Sequence, residues 1–424
     1  MHKALSDLVH INPQVELPQG LTSRSLVSFV PMANVTEGGE WVGRQVRRLH
    51  EVNSGFTSFS NDDVLVAKIT PCFENGKGAL VTGLMNGIGF GSTEFHVLRA
   101  RKDVAPGFIF HVTQSAGFRL RAERYMTGSA GQKRVAREAF DVYGLPEFSP
   151  GEQRAISATL DTLDITIRQT EAIIEKLRQV NQGLHHDLLT RGIDANGELR
   201  PSRKEMPELY TDAACGCLPR HWEASDVAAQ FSVASGLSIG PHRLPRFNRH
   251  KYLRVANVKR AMLDLGDVAE MEATRGEVAD RVLAAGDLLV VEGHASSDEI
   301  GRCAIADESV SGYTFQNHLF RLRAINVEPA FALLWLNSSV ARAYWRAEAA
   351  TSSGLNTINR AKLDRLPVAV PPVAEQRRIV AAAFAAEQRL NEECSMLSKL
   401  SSTKLGLMDD LLTGRVRVTP LIPT

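Results

Sequence analysis

The sequence holds no run of about eighteen apolar residues, so no membrane-spanning helix is expected from it. Its opening residues, MHKALSDLVHINPQ, lack the apolar stretch of a signal peptide, and the protein is expected in the cytoplasm. Cysteine is scarce. The five residues Cys72, Cys215, Cys217, Cys303 and Cys394 are scattered and odd in number, which implies no disulfide framework. Cys215-Gly-Cys217 lacks the two-residue spacer of a zinc knuckle and no second pair follows, so no metal site is expected. An excess of one charge is also missing. The formal net charge is +1, so any affinity for a polyanion must rest on local patches.

Catalytic constellations are absent as well. Gly236-Leu-Ser238-Ile-Gly240 fits G-x-S-x-G, but Pro241 and Pro245 forbid the helix that a nucleophile elbow needs. Asn75-Gly-Lys77 has Pro71 where a phosphate loop needs its first glycine. Gly87-Ile-Gly-Phe-Gly91 stands without an acid placed for a ribose. His185 and His186 are adjacent on an expected helix and point about 100° apart, which makes a poor ligand pair. The chain is therefore expected to be non-catalytic and to bind no cofactor of its own.

What is present is a repeat. Glu152-Gln-Arg-Ala-Ile156 returns as Glu375-Gln-Arg-Arg-Ile379, Lys176-Leu177 as Lys399-Leu400, Gly183-Leu184 as Gly406-Leu407, and Asp187-Leu-Leu-Thr190 as Asp410-Leu-Leu-Thr413. The offset is 223 residues every time. Fainter echoes lie upstream: Asp63-Val-Leu-Val-Ala67 resembles Asp287-Leu-Leu-Val-Val291, and Pro106 and Pro329 both open an expected helix. The chain reads as two copies of one unit, each a globular domain followed by a long helix.

Ile156, Leu160, Leu163, Ile167, Thr170, Ile174, Leu177, Asn181, Leu184 and Leu188 alternate spacings of four and three, which is a heptad seam. The second copy runs Ile379, Ala383, Ala386, Leu390, Glu393, Leu397, Leu400, Lys404, Leu407 and Leu411. Both interrupt the apolar stripe at the same two places. Acids in the first turn suit the helix dipole, and Gly192 and Gly414 suit C-caps. The two helices are expected to pair with each other, and a pseudo-two-fold axis would make that pair antiparallel, with a globular domain at either end of a rod. About 39 residues at 1.5 Å each give roughly 58 Å. That spans at most about 17 base pairs of duplex.

Both globular domains read as mixed α/β, so the fold class is α+β. Strands are expected at Ser25–Val30, Val64–Ile69, Tyr252–Val258 and Leu288–Val291, and helices at Pro106–Ala116 and Pro329–Ala349. The boundaries fall at 1–149, 150–193 (helix), 194–219 (a polar linker rich in Gly and Pro), 220–372, 373–416 (helix) and 417–424 (tail). Pro241–Arg260 carries Arg243, Arg246, Arg249, Lys251, Arg254, Lys259 and Arg260 without a single acid, with Phe247 and Tyr252 interleaved. Its analogue in the first domain holds Arg119, Arg121, Arg124, Lys133, Arg134 and Arg137. Arginine donates two hydrogen bonds to guanine and also binds phosphate, so both runs are candidate DNA-binding surfaces.

These features resemble a known family. Lys68-Ile-Thr-Pro-Cys-Phe-Glu-Asn-Gly-Lys-Gly-Ala79 looks like a signature of the target-recognition domain of type I restriction–modification specificity subunits. Glu152–Gly192, ending in Leu188-Leu-Thr-Arg-Gly192, is similar to their central spacer helix, and Glu375–Thr413 to their distal one. Phe29-Val-Pro-Met32, Gly286-Asp-Leu-Leu-Val-Val-Glu-Gly293 and Ile300-Gly-Arg302 fit the same pattern. The resemblance implies two target-recognition domains, each reading half of a split double-stranded DNA sequence. It also implies helices that set the gap and dock two modification (methyltransferase) subunits. S-adenosylmethionine, ATP and magnesium would then reside on partner subunits, including the restriction subunits that can join the core. One departure stands out: Ala383 and Ala386 replace Leu160 and Leu163 on the distal seam, which puts the tightness of its pairing in question. The competing expectation is a coiled-coil adaptor that binds proteins only; salt-dependent DNA binding separates the two.

Overall fold

The computed structural model describes residues 2–129, 131–348 and 356–418. They form two compact units, one of Met1–Ile173 with Cys394–Thr424 and the other of Ile174–Glu393. Each unit is a β-rich head closed by part of each long helix, a mixed α+β fold.

The repeat extends to strand order. In the first unit a four-stranded sheet runs Val9–Ile11, Phe95–Ala100, Val64–Ala67, Gly78–Leu80. In the second the same order returns as Phe231–Ser235, Leu319–Ala324, Leu288–Val291, Cys303–Ile305. The central strands are fully buried runs such as Val64-Leu-Val-Ala67 and Leu288-Leu-Val-Val291, rich in the branched residues that pack on a pleated surface. A second sheet in each head pairs Leu26–Val30 with Gln45–Arg48 and, in parallel, Ile88–Gly91. Its counterpart pairs Arg249–Leu253 with Ala269–Glu272 and, in parallel, Thr314–Phe315. The expected strand Tyr252–Val258 thus stops at Leu253, because Asn257 caps a turn over Val255–Asn257. The expected helix Pro329–Ala349 is two, Pro329–Leu336 and Ser339–Glu348, and Ala349 lies outside the described residues.

The long helices are Pro150–Thr190 and Val373–Leu412. They run antiparallel within each unit. In the first, Ile156 and Leu160 share a core with Leu411, Leu412 and Met408. In the second, Leu188 and Leu189 share one with Ile379 and Ala383. Ala383 is buried, so its small side chain lets the helices approach there. The remaining seam positions Leu163, Ile167, Leu177, Leu184, Leu390, Leu397, Leu400 and Leu407 are half-buried, and Ile174 is buried. The polar interruptions make specific contacts: the Asn181 side chain donates to the Ala386 carbonyl at 3.1 Å, and Lys404 pairs with the buried Asp164.

The repeated Glu-Gln pair ties the helices in. Gln153 accepts from the Ala105 backbone N–H at 3.0 Å and donates to the Phe148 carbonyl at 3.1 Å. Gln376 accepts from Glu328 and donates to Pro371, both at 2.8 Å. The glutamates receive an arginine from the segment that follows the other helix. Arg417 makes two 2.8 Å hydrogen bonds to Glu152, and Arg200 makes two to Glu375, which also contacts His221 at 2.9 Å. At Glu375, burial would raise the carboxyl pKa, but the hydrogen bonds from Arg200 and His221 outweigh it and hold the group below the usual carboxylate range. Gly192 adopts φ +68°, and a Cβ there would lie 2.3 Å from the Glu375 carboxylate and 2.5 Å from the Trp222 ring. Glycine is therefore required twice over at that C-cap.

The tract 194–219 is not an open linker. Tyr210–Ala213 and Gly216–Pro219 form a hairpin, and Cys215 and Leu218 enter the second unit's core. Of the expected tail, Arg417 and Val418 pack on the first unit, and residues 419–424 lie outside the described residues. Among the described residues no helix is long and apolar enough to cross a membrane, and no cluster of three or more His, Cys, Asp or Glu could hold a metal.

Candidate nucleic-acid interface

The structure divides the two basic runs into cations that build the head and cations that are free to meet a ligand. In the second unit, Arg243 belongs to the first kind. Its side chain is 10% exposed, and its guanidinium donates to the Ser238 and Glu272 carbonyls and to Glu277 at 2.9, 3.2 and 2.8 Å. Arg243, with the Thr274 cap, pulls Glu277 down to about 2. Arg254 is spent on Asp267, through its carbonyl at 2.9 Å and its carboxylate at 2.7 Å. Arg260 is half-buried, and donates to Asn337 at 3.3 Å and the Asp298 carbonyl at 2.6 Å. Burial and the neighbouring Arg342 lower its pKa from the usual arginine value. Lys259 stands 4.0 Å from Asp264. Tyr252 is buried in a small core with Leu237 and Met271, so it is a packing residue and not a surface aromatic.

That leaves Arg246, Arg249, Lys251 and Lys259, the last being exposed and no closer to its acid than Arg249 is to Glu270. Arg246 has no described side-chain hydrogen bond, Arg249 is 60% exposed and 3.8 Å from Glu270, and Lys251 lies over the Tyr313 ring at 5.4 Å. Arg249 and Lys251 alternate along their strand and are both exposed, and Phe247 lies between Arg246 and Arg249 in sequence.

In the first unit the cations sit on the helix Ala116–Glu123 and on the hairpin of Met126–Thr127 and Arg134–Val135. Arg134 clasps Glu94 with three hydrogen bonds of 2.7 to 3.1 Å and holds that carboxyl low. The signature segment is knitted to this hairpin: Val135 N–H donates to the Lys68 carbonyl at 2.9 Å and Thr70 N–H to the Lys133 carbonyl at 3.0 Å. Burial, with Arg134 nearby, lowers the Lys68 pKa although Glu94 opposes it. Arg121, Arg124, Lys133 and Arg137 are exposed and have no described hydrogen-bonded partner, and Arg119 is half-buried.

This sorting separates two kinds of variant. Arg246→Ala and Arg249→Ala are expected to flatten the salt dependence of DNA binding by about one unit of slope each. Arg243→Ala is expected to leave the slope unchanged and to loosen its loop instead. A salt series on each variant, with a thermal melt beside it, reads both; a slope change for Arg243→Ala alone would invert the assignment.

A β-rich head with exposed cations, closed by paired helices and present twice, defines a tandem-repeat α+β protein. No family model matches the chain. It is 37% identical over 170 residues, 39% of its length, to the type I restriction enzyme EcoEI specificity subunit of Escherichia coli. The matched stretch spans 28% of that relative, well under two thirds. Among solved structures, it aligns with the HsdS subunit from Thermoanaerobacter tengcongensis at 17% identity and a TM-score of 0.52, covering 98% of this chain and 97% of that one. A chain from a study of type I R-M complex assembly aligns at 16% identity and a TM-score of 0.59, covering 98% of both. At such identities the structural matches establish a shared fold. With the sequence relatives, they make the chain similar to type I restriction enzyme specificity subunits, in part of its sequence and over nearly all of its fold.

Proposed function

We propose that this chain is the sequence-specific DNA-binding subunit of a type I restriction–modification enzyme. It reads a bipartite duplex target with one head per half-site, and it docks modification subunits that perform the methyl transfer. The observation that carries this reading is the duplication itself. Two heads of one strand order, each with free arginines on its surface, match a target made of two half-sites. The chain supplies recognition, while the methyl donor and any nucleotide-driven step belong to its partners.

The long helices support a docking role. Outside their seam they expose Ile165, Ile173, Val180, Phe384, Met396 and Leu405, the kind of apolar surface that a partner covers. In the second unit Phe384 lines a groove with Leu333, Leu334 and Val340.

Exchange of residues 1–149 for the matching head of a relative, co-expressed with the modification subunit, is the test. Methylome sequencing is expected to show one half-site changed and the other kept. Gln153 holds that head through backbone groups of Ala105 and Phe148, which any substitute head of this fold also offers. A change in both half-sites together, or no methylated bipartite sequence with the unaltered chain, would refute the reading.

A further inference from the structure

Phe247 is the most exposed large apolar side chain among the described residues, at 92%. It sits in the loop between the turn Pro241–Arg243 and the strand Arg249–Leu253. The loop is braced. Three successive backbone N–H groups, of Arg246, Phe247 and Asn248, donate to the carboxylate of Glu272 at 2.7, 2.9 and 2.8 Å. Those hydrogen bonds hold the Glu272 carboxyl below its usual range. On the near side Arg243 fastens the same loop to the Glu272 carbonyl and to Glu277. A phenyl ring fixed in water forgoes the burial that its surface offers. The two arginines beside it, Arg246 and Arg249, are exposed. A ring flanked by exposed cations suits a ligand with an anionic rim and apolar interior faces, which describes duplex DNA.

We propose that Phe247 makes an apolar base contact in the half-site read by the second unit, with Arg246 and Arg249 on the flanking phosphates. This rests on the DNA-reading function above. The apolar surface it meets is either a thymine methyl edge or the faces of an unstacked base step. In both cases the braced loop serves as the rigid mount that makes the contact selective.

The experiment uses the full chain assembled with its modification subunit, and a duplex carrying the methylated sequence mapped in the host. Phe247→Ala is expected to weaken binding to that duplex roughly ten- to a hundred-fold. Binding to an unrelated duplex, the slope of the salt dependence and the thermal midpoint should stay unchanged, and Phe247→Leu should retain most of the affinity. Replacing half-site thymines by deoxyuridine, one at a time, identifies a methyl contact if one replacement weakens the wild-type complex and not the alanine variant. A 2-aminopurine whose fluorescence rises with the wild-type complex and not with the variant identifies an unstacked step. Equal affinity of Phe247→Ala and wild type overturns the inference. So does an equal loss on specific and unrelated duplexes, or a defect confined to assembly with the modification subunit. If the wild-type complex methylates no bipartite sequence, the underlying DNA reading fails instead, and the two failures are distinct.

Discussion

Two residues inserted after Val180 are expected to abolish assembly and methylation, whereas four residues inserted there preserve both and lengthen the gap between half-sites. Val180 is half exposed, between the Leu177 and Leu184 layers and next to Asn181, which bonds to the second helix at Ala386. Two residues turn the following segment by about 200°. That carries Leu184 and Leu188 off the face that packs on Ile379 and Ala383, and leaves Asn181 without its acceptor. Four residues turn it by only about 40° beyond a full turn and add about 6 Å of rise. The first helix then slips by one seam layer against the second. On the proposed function, the added rise corresponds to one or roughly two base pairs of duplex. Methylated sites mapped for both variants with the modification subunit decide the matter. An unchanged gap in a four-residue variant that still methylates would leave the helices as a docking platform and not a ruler.

Glu375→Ala is expected to cost about 3–5 kcal/mol of stability, the range for removing one member of a buried charged cluster. The carboxylate is 3% exposed, and it holds Arg200, His221 and the Ile193 backbone N–H. Its removal strands a guanidinium that is only 16% exposed. Glu375→Gln should cost less, since the amide still accepts one of these donors. Because folding depresses this pKa, the stabilisation is complete above the ordinary glutamate value of about 4.3 and is lost as pH falls through the folded-state value. Denaturant titrations at neutral and acid pH should therefore show the wild type and Glu375→Gln converging in acid. A cost below about 1 kcal/mol for Glu375→Ala at neutral pH would mean that the cluster is ornamental to the fold.

The helices were legible in the sequence because their periodicity recurs over many turns, and the repeat because Gln153 and Gln376 do one job in two places. The buried strands were legible as short branched runs. Other features were hidden for a physical reason: their partners are remote in the chain. Arg243 looked like a free cation because Glu272 and Glu277 lie 29 and 34 residues downstream. The tract 194–219 looked like a linker because Tyr210, Cys215, Leu218 and Pro219 are only four buried anchors in a polar hairpin. Tyr252 and Phe247 share one basic run yet differ completely in exposure, a difference fixed by the strand register and by the Glu272 clamp. The clamp's residue lies in the next strand, Ala269–Glu272, outside the run whose composition drew attention to the surface.

The second unit, Ile174–Glu393, is continuous in sequence, whereas the first joins Met1–Ile173 to Cys394–Thr424. On a ribosome these units therefore mature out of order. The head made first waits for residues made after the whole second unit, with Ile156 and Leu160 uncovered until Met408 and Leu411 emerge. The head made second has all its residues in hand by then. A nascent chain with residue 393 clear of the ribosome would carry a complete second unit and an unfinished first one, so chaperone demand during synthesis should fall on the N-terminal head.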